Sequence, residues 1–251
     1  MLKRNPLLKN KKLLIAALTV FAAVQLVIVH FMYNTMFSLF SYICIISSCL
    51  FCAIVSDGSR SWLFTQLGLV GTVGADFFLV FILPDQKRVP GLIFFCMAQI
   101  AYFLRIYFED QNRLRRKIHL ALRGVASIAA LIVTPVVLGS RMDAVALISV
   151  FYYANLICNV VFSFVNFRQS GVFAIALLAF ILSDTLLGFQ SLSSYFLIPR
   201  GSFIFYAVQV GKSIFYPLYI LSQVLIPVSV ASRRLKTRSA KQVGKTENKT
   251  S

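Results

Sequence analysis

Two aspartates interrupt stretches of the chain that are otherwise apolar: Asp76 in Gly74-Ala75-Asp76-Phe-Phe-Leu, and Asp184 in Leu182-Ser183-Asp184-Thr-Leu-Leu. The other six acidic residues, Asp57, Asp85, Glu109, Asp110, Asp143 and Glu247, fall in loops or in the tail. An ionisable group within an apolar run is costly to place, which makes it a functional candidate by default. In the apolar run after each aspartate stands a glutamine, in Ala98-Gln99-Ile-Ala-Tyr102 and in Val208-Gln209-Val-Gly-Lys212. The aspartates are 108 residues apart and the glutamines 110. This near-equal spacing suggests two four-helix halves of parallel orientation with a shared site between them. If the two carboxylates converge in a low-dielectric site, they cannot easily both ionise, so one keeps its proton while the other stays charged. That is an acid/base pair. Lys212 is placed to neutralise the charged member, and Gln99, Gln209, Tyr102 and Tyr206 to orient a polar head group. The alternative reading is a buried ion-pair and hydrogen-bond network of Asp76, Asp184 and Lys212 that only locks helices together.

Such residues must be positioned by helices in lipid. The chain has 251 residues, 59% of them hydrophobic, and a mean hydropathy of +0.81, far too apolar for a soluble domain. Runs that meet or approach the roughly 20 residues needed to span a bilayer lie at 13–32, 36–55, 62–83, 91–108, 121–138, 144–165, 171–190 and 203–230. The predicted fold is therefore all-α, a polytopic bundle of about eight transmembrane helices in a single domain 13–230. It is flanked by a basic N-terminus 1–12 and a basic, disordered tail 231–251. Pro217 is expected to kink or tilt the last run.

The formal charge of +17 does not point to nucleic acid, because the cations lie in short segments between apolar runs and at the ends. With the N-terminus inside, the cytoplasmic segments hold 18 Lys and Arg and the opposite segments 4, an asymmetry that places both termini in the cytoplasm. Arg105 and Arg123 fall within runs near cytoplasmic ends and are expected to snorkel. No organelle signal is visible, so a bacterial inner membrane is the first expectation and the endoplasmic reticulum the second.

Other chemistries find little support. The five cysteines all fall in apolar runs without a CxxC or metal-ligand spacing, which argues against a disulfide scaffold or a zinc site. No GxSxG, HExxH or P-loop pattern occurs, and no metal or cofactor is implied. Gly68, Gly71 and Gly74 form a small-residue ridge along the third helix, expected to let a neighbouring helix approach closely around Asp76.

At these residues the sequence resembles the lysoplasmalogenase family of eight-helix integral membrane proteins, also called YhhN-like. The features are Leu69-Val-Gly71-Thr-Val-Gly74-Ala-Asp76 and Phe95-Cys-Met-Ala-Gln99-Ile-Ala-Tyr102, then Tyr153, Phe180-Ile-Leu-Ser183-Asp184-Thr-Leu-Leu and Tyr219-Ile-Leu-Ser-Gln223-Val-Leu-Ile. The likeness spans roughly residues 60 to 226. It adds Tyr153, Tyr219 and Gln223 to Gln99, Tyr102, Gln209 and Lys212 as residues expected to contact substrate. Active members of that family cleave the vinyl ether bond of lysoplasmalogens, releasing a fatty aldehyde and glycerophosphoethanolamine or glycerophosphocholine. The resemblance thus implies a hydrolase acting on a membrane lysophospholipid, with Asp76 and Asp184 as its acid/base pair. One departure stands out: the family commonly carries histidine where this chain has Gln99. Two other readings stay open, a small-solute or lipid transporter using the same carboxylates for proton coupling, and a non-catalytic membrane protein.

Overall fold

A computed structural model describes residues 11–32, 37–81, 88–192 and 195–250. The described residues form eight α-helices and a short 3₁₀ turn. The helices are α1 (Lys11–Met32), α2 (Phe37–Ile54), α3 (Arg60–Phe81), α4 (Arg88–Glu109), α5 (Arg113–Leu138), α6 (Ala144–Val165), α7 (Phe167–Leu192) and α8 (Phe203–Thr250). Seven of them contain a stretch long and apolar enough to cross a membrane. The remaining one, α2, has 18 residues, about 27 Å at 1.5 Å per residue, just short of a hydrocarbon core of about 30 Å.

Hydropathy located the helices, but local chemistry set several of their ends. Helix α5 begins at Arg113, not 121, because the Asn112 side chain caps it by accepting from the backbone N–H groups of Leu114 and Arg115 at 2.9 and 3.2 Å. Such a cap lets a helix start in a polar stretch that no apolar window includes. Asp143 caps α6 in the same way, accepting from the Ala146 N–H at 2.7 Å. Helix α7 starts at Phe167, ahead of the expected 171, with a break in helical geometry at Ser170. Helix α8 runs unbroken past Pro217 and Pro227 and past residue 230, where hydropathy ends it, to Thr250; the Lys, Arg, Gln and Glu residues there are good helix formers.

The packing is nearly two-fold. Helix α3 lies along α4 and α7 along α8, the two most extensive contacts in the bundle; α2 meets α3 as α6 meets α7, α1 meets α2 as α5 meets α6, and α4 meets α6 as α8 meets α2. Exchanging the first four helices with the last four therefore reproduces the neighbour pattern. This matches two pseudo-repeated halves. Helix α8 departs from the symmetry by touching α1 and α3 as well.

The glycine ridge brings α3 against α4. A Cβ on Gly68 would lie 2.1 Å from the ring of Tyr102, and one on Gly74 2.7 Å from that of Phe94; at Gly71 it would meet Ala98 at 3.2 Å. Backbone-to-side-chain contact at these three points fixes how Asp76 is presented to the bundle interior.

At the end of the bundle that carries the α2–α3 and α4–α5 connections, Glu109 is the last residue of α4 and is buried, not in a loop. It accepts from Arg105 of its own helix at 3.3 Å, from Arg233 of α8 at 2.6 Å and from Ser61 of α3. Arg105, only 1% exposed, also donates to Thr65 at 2.9 Å and Ser229 at 2.8 Å and lies 3.8 Å over the ring of Phe173. It does not snorkel, because α3, α7 and α8 supply partners inside. Replacing Glu109 by glutamine leaves this arginine without a counter-charge, and the expected loss is about 3 to 5 kcal/mol of stability, read as a lower melting temperature in detergent.

Candidate active site

Asp76 and Asp184 are each held by a tyrosine from a neighbouring helix. The Tyr219 hydroxyl of α8 donates to Asp76 Oδ2 at 2.8 Å, and the Tyr152 hydroxyl of α6 donates to Asp184 Oδ2. Asp76 is 7% exposed and Asp184 partly buried. The two pairs face a common interior. The rings of Tyr152, Phe95, Phe180 and Tyr219 follow one another with centroids 5.6, 6.2 and 5.5 Å apart. The carboxylate of Asp76 interacts electrostatically with that of Asp184, and Tyr219 interacts with both. Tyr42 of α2 and Tyr216 of α8 also lie within electrostatic range of Asp76.

The arrangement follows from the pattern of the helices. On α3, Gly68, Thr72 and Asp76 recur every four residues and so share a face, the one pressed toward the interior by the glycine contacts. On α8, Tyr219, Ser222 and Gln223 are buried together, spaced to lie on one side of the helix. A pair of acids, each oriented by a phenolic donor and lining one aromatic interior, can donate a proton from one member and stabilise a developing cation with the other.

The other expected site residues are placed as follows. Gln99 is fully buried and accepts from Asn159 Nδ2 at its Oε1 (2.8 Å) and at its backbone carbonyl (3.0 Å). Tyr102 is fully buried beneath Gly68, with its ring edge-on to Phe173. Gln223 is fully buried and donates to Ser222 Oγ at 3.2 Å. The Tyr153 hydroxyl shares its hydrogen bond with Thr185. Gln209 is exposed. Near Asp184, α8 presents Phe215, whose carbonyl accepts from Ser183 at 2.9 Å, and Gly211, which packs on Leu186; Gln209 lies beyond them. The equal spacing of the two glutamines is therefore coincidental, since α8 sits about ten residues out of the register it implies. The side chain of Lys212 lies outside the described residues.

Sequence reasoning passed over Tyr152 in favour of its neighbour, although a signal was present: Tyr42 and Tyr152, on α2 and α6, are separated by 110 residues, two more than the 108 that separate the aspartates. It also left Arg123 at the membrane surface. The structure buries it, with Nη1 donating to Asn155 Oδ1 at 2.7 Å, Nη2 donating to Asn159 Oδ1, and the guanidinium 4.2 Å over the Phe103 ring. Two asparagines one helical turn apart give it a polar seat that snorkelling would forfeit.

The model of the YhhN family matches residues 55–230, which include both aspartates and both tyrosines that hold them. The chain belongs to the YhhN family. No curated protein and no solved structure matches it. The YhhN match begins where α2 ends, so α1 and α2, with Tyr42, precede the matched region, while α3 to α7 and α8 as far as Val230 lie within it. Within the YhhN region, substituting phenylalanine for Tyr152 or Tyr219 removes one donor to a carboxylate without changing the ring. A hydrogen bond to a charged group contributes about 1.5 to 3 kcal/mol, so turnover is expected to fall about 10- to 100-fold, with the melting temperature moving by only a few degrees.

Proposed function

We propose that this YhhN protein is a lysophospholipid vinyl-ether hydrolase, a lysoplasmalogenase, with Asp76 and Asp184 as its acid/base pair. The observation that carries the reading is the convergence of two tyrosine-anchored carboxylates, one from each half of the bundle, on one aromatic-lined interior. Vinyl ether hydrolysis calls for a proton donor to carbon and is helped by a base that activates water, two roles that a pair of carboxyl groups can fill. An aspartic acid gives its proton to the carbon β to the ether oxygen, which generates an oxocarbenium ion at the adjacent carbon. The ionised aspartate stabilises that cation and takes a proton from water as the water oxygen bonds to it. The resulting hemiacetal then collapses: its hydroxyl proton passes to the first, now ionised, aspartate and restores the acid, while the bond to the glycerol oxygen breaks and that oxygen takes the proton held by the second aspartate, so that a fatty aldehyde and a glycerophospho-alcohol leave.

Aromatic walls suit this chemistry, because they exclude bulk water and offer π faces to a developing cation. Gln99, in the position commonly held by histidine in the family, can hold a substrate oxygen or a neighbouring amide in place but cannot exchange protons, so the proton transfers fall to the two aspartates. Positive residues cluster at one end of the bundle, and we place that end and both termini in the cytoplasm.

The test is incubation of the purified, detergent-solubilised protein with a lysoplasmalogen and measurement of free fatty aldehyde. Aldehyde together with one equivalent of glycerophosphoethanolamine or glycerophosphocholine is the expected result; intact substrate after incubation with a folded protein would overturn the proposal.

A further inference from the structure

Two arginines are buried in the spanning helices, and they are compensated differently. Arg105 has the carboxylate of Glu109 3.3 Å away. Arg123, 8% exposed, has no carboxylate within ion-pair distance among the described residues; its hydrogen-bond partners are the neutral side-chain oxygens of Asn155 and Asn159, and its Nε has no acceptor. Asn159 passes the polarity on by donating to Gln99, and there the chain of donors stops. The Nε2 of Gln99, on a side chain with no exposed surface, finds no acceptor among the described residues.

A buried cation without a counter-charge is costly in a membrane, and so is a buried donor without an acceptor. Both are completed by one missing component, an anion with several acceptor oxygens. The location suggests which anion. Tyr152, Asn155 and Asn159 lie on one face of α6, three and four residues apart, so this cluster sits one to two turns below the Tyr152–Asp184 pair, roughly 5 to 10 Å along the helix. In a lysoplasmalogen the glycerol backbone separates the phosphate from the vinyl ether by a distance of that order.

We infer that Arg123 and Gln99, set by Asn155 and Asn159, form the seat of the substrate's phosphodiester, and this inference rests on the hydrolase reading above. With the phosphate held there, the glycerol extends along α6 and delivers the vinyl ether to the carboxylates. The arrangement assigns specificity to the phosphate and leaves the alcohol esterified to it unread.

The test measures binding, not turnover, so its failure is distinct from failure of the hydrolase reading. The full chain in detergent is titrated with a saturated ether lysophospholipid, hexadecyl-glycerophosphocholine, which has no vinyl group to cleave. Hexadecylglycerol, which lacks the phosphate, is titrated alongside, as are glycerophosphocholine and inorganic phosphate. Wild type is expected to bind the phosphate-bearing lipid about 10- to 100-fold more tightly than hexadecylglycerol, as charge-assisted hydrogen bonds provide. Arg123→Gln and Gln99→Leu are each expected to shrink that ratio toward one while leaving affinity for hexadecylglycerol unchanged. Glycerophosphocholine is expected to compete weakly. Equal binding of the two lipids by wild type, a preference that survives Gln99→Leu and Arg123→Gln, or displacement of the lipid by inorganic phosphate as readily as by glycerophosphocholine would each overturn the assignment. Should Arg123→Gln fail to fold, the wild-type comparison and Gln99→Leu still decide it.

Discussion

Replacing Asp76 or Asp184 by asparagine is expected to lower aldehyde release by roughly 10²- to 10⁴-fold, the range over which positioned acids and bases accelerate proton transfer. Asparagine keeps the size of the side chain and an oxygen able to accept from Tyr219 or Tyr152, so helix packing is retained. The amide cannot give a proton to carbon, nor can it offer a negative charge to an oxocarbenium ion. Either substitution therefore removes one of two non-redundant functions, and the double variant is expected to be hardly slower than the worse single one, since groups acting as a unit are not additive. A folded variant with wild-type turnover would show that the carboxylate concerned takes no part in the proton transfers.

Gly68→Ala is expected to cost more stability than any other single-methyl addition to α3. The added carbon would lie 2.1 Å from the ring of Tyr102, which is fully buried and backed by Phe173 and so has no room to swing aside. Overpacking of this kind costs typically about 1 to 3 kcal/mol, and because it pushes α4 from α3 it should also lower activity by moving Asp76. The same substitution at Gly124, where nothing lies within 4 Å of the new carbon, is expected to be neutral or to stabilise α5 slightly, as alanine is the better helix former by about 1 kcal/mol. Thermal unfolding of the two variants in one detergent checks both signs.

Much of this architecture was legible in the chain because lipid imposes a simple rule. Every backbone polar group must be satisfied within its own segment, so apolar length alone located eight helices, and the two buried aspartates stood out against them. Helix ends were less legible: the start of α5 depends on the Asn112 side chain, and hydropathy is blind to a cap. The same limit affected the arginines. Placing Arg105 and Arg123 at the surface assumed lipid neighbours, whereas Thr65, Ser229, Asn155 and Asn159 come from helices remote in sequence. Repeat spacing identified the two halves through the aspartates, and Tyr42 with Tyr152 would have reinforced it. It misled at Gln209, because α8 packs on α7 in a register different from that of α4 on α3. Tyr152 and Tyr153 differ by one residue, which on a helix is about 100° of rotation, and only the packed bundle shows which of them reaches Asp184.

On the proposed mechanism, a carboxylic acid of the bundle delivers a proton to carbon. Turnover of a lysoplasmalogen by the wild-type protein in D₂O, with the aldehyde trapped at once and analysed by mass spectrometry, measures that step directly. One solvent deuterium is expected on the carbon next to the aldehyde carbonyl, in product formed by wild type and lost with Asp76→Asn and Asp184→Asn. Aldehyde without deuterium, or no aldehyde from a folded wild-type protein, would contradict it.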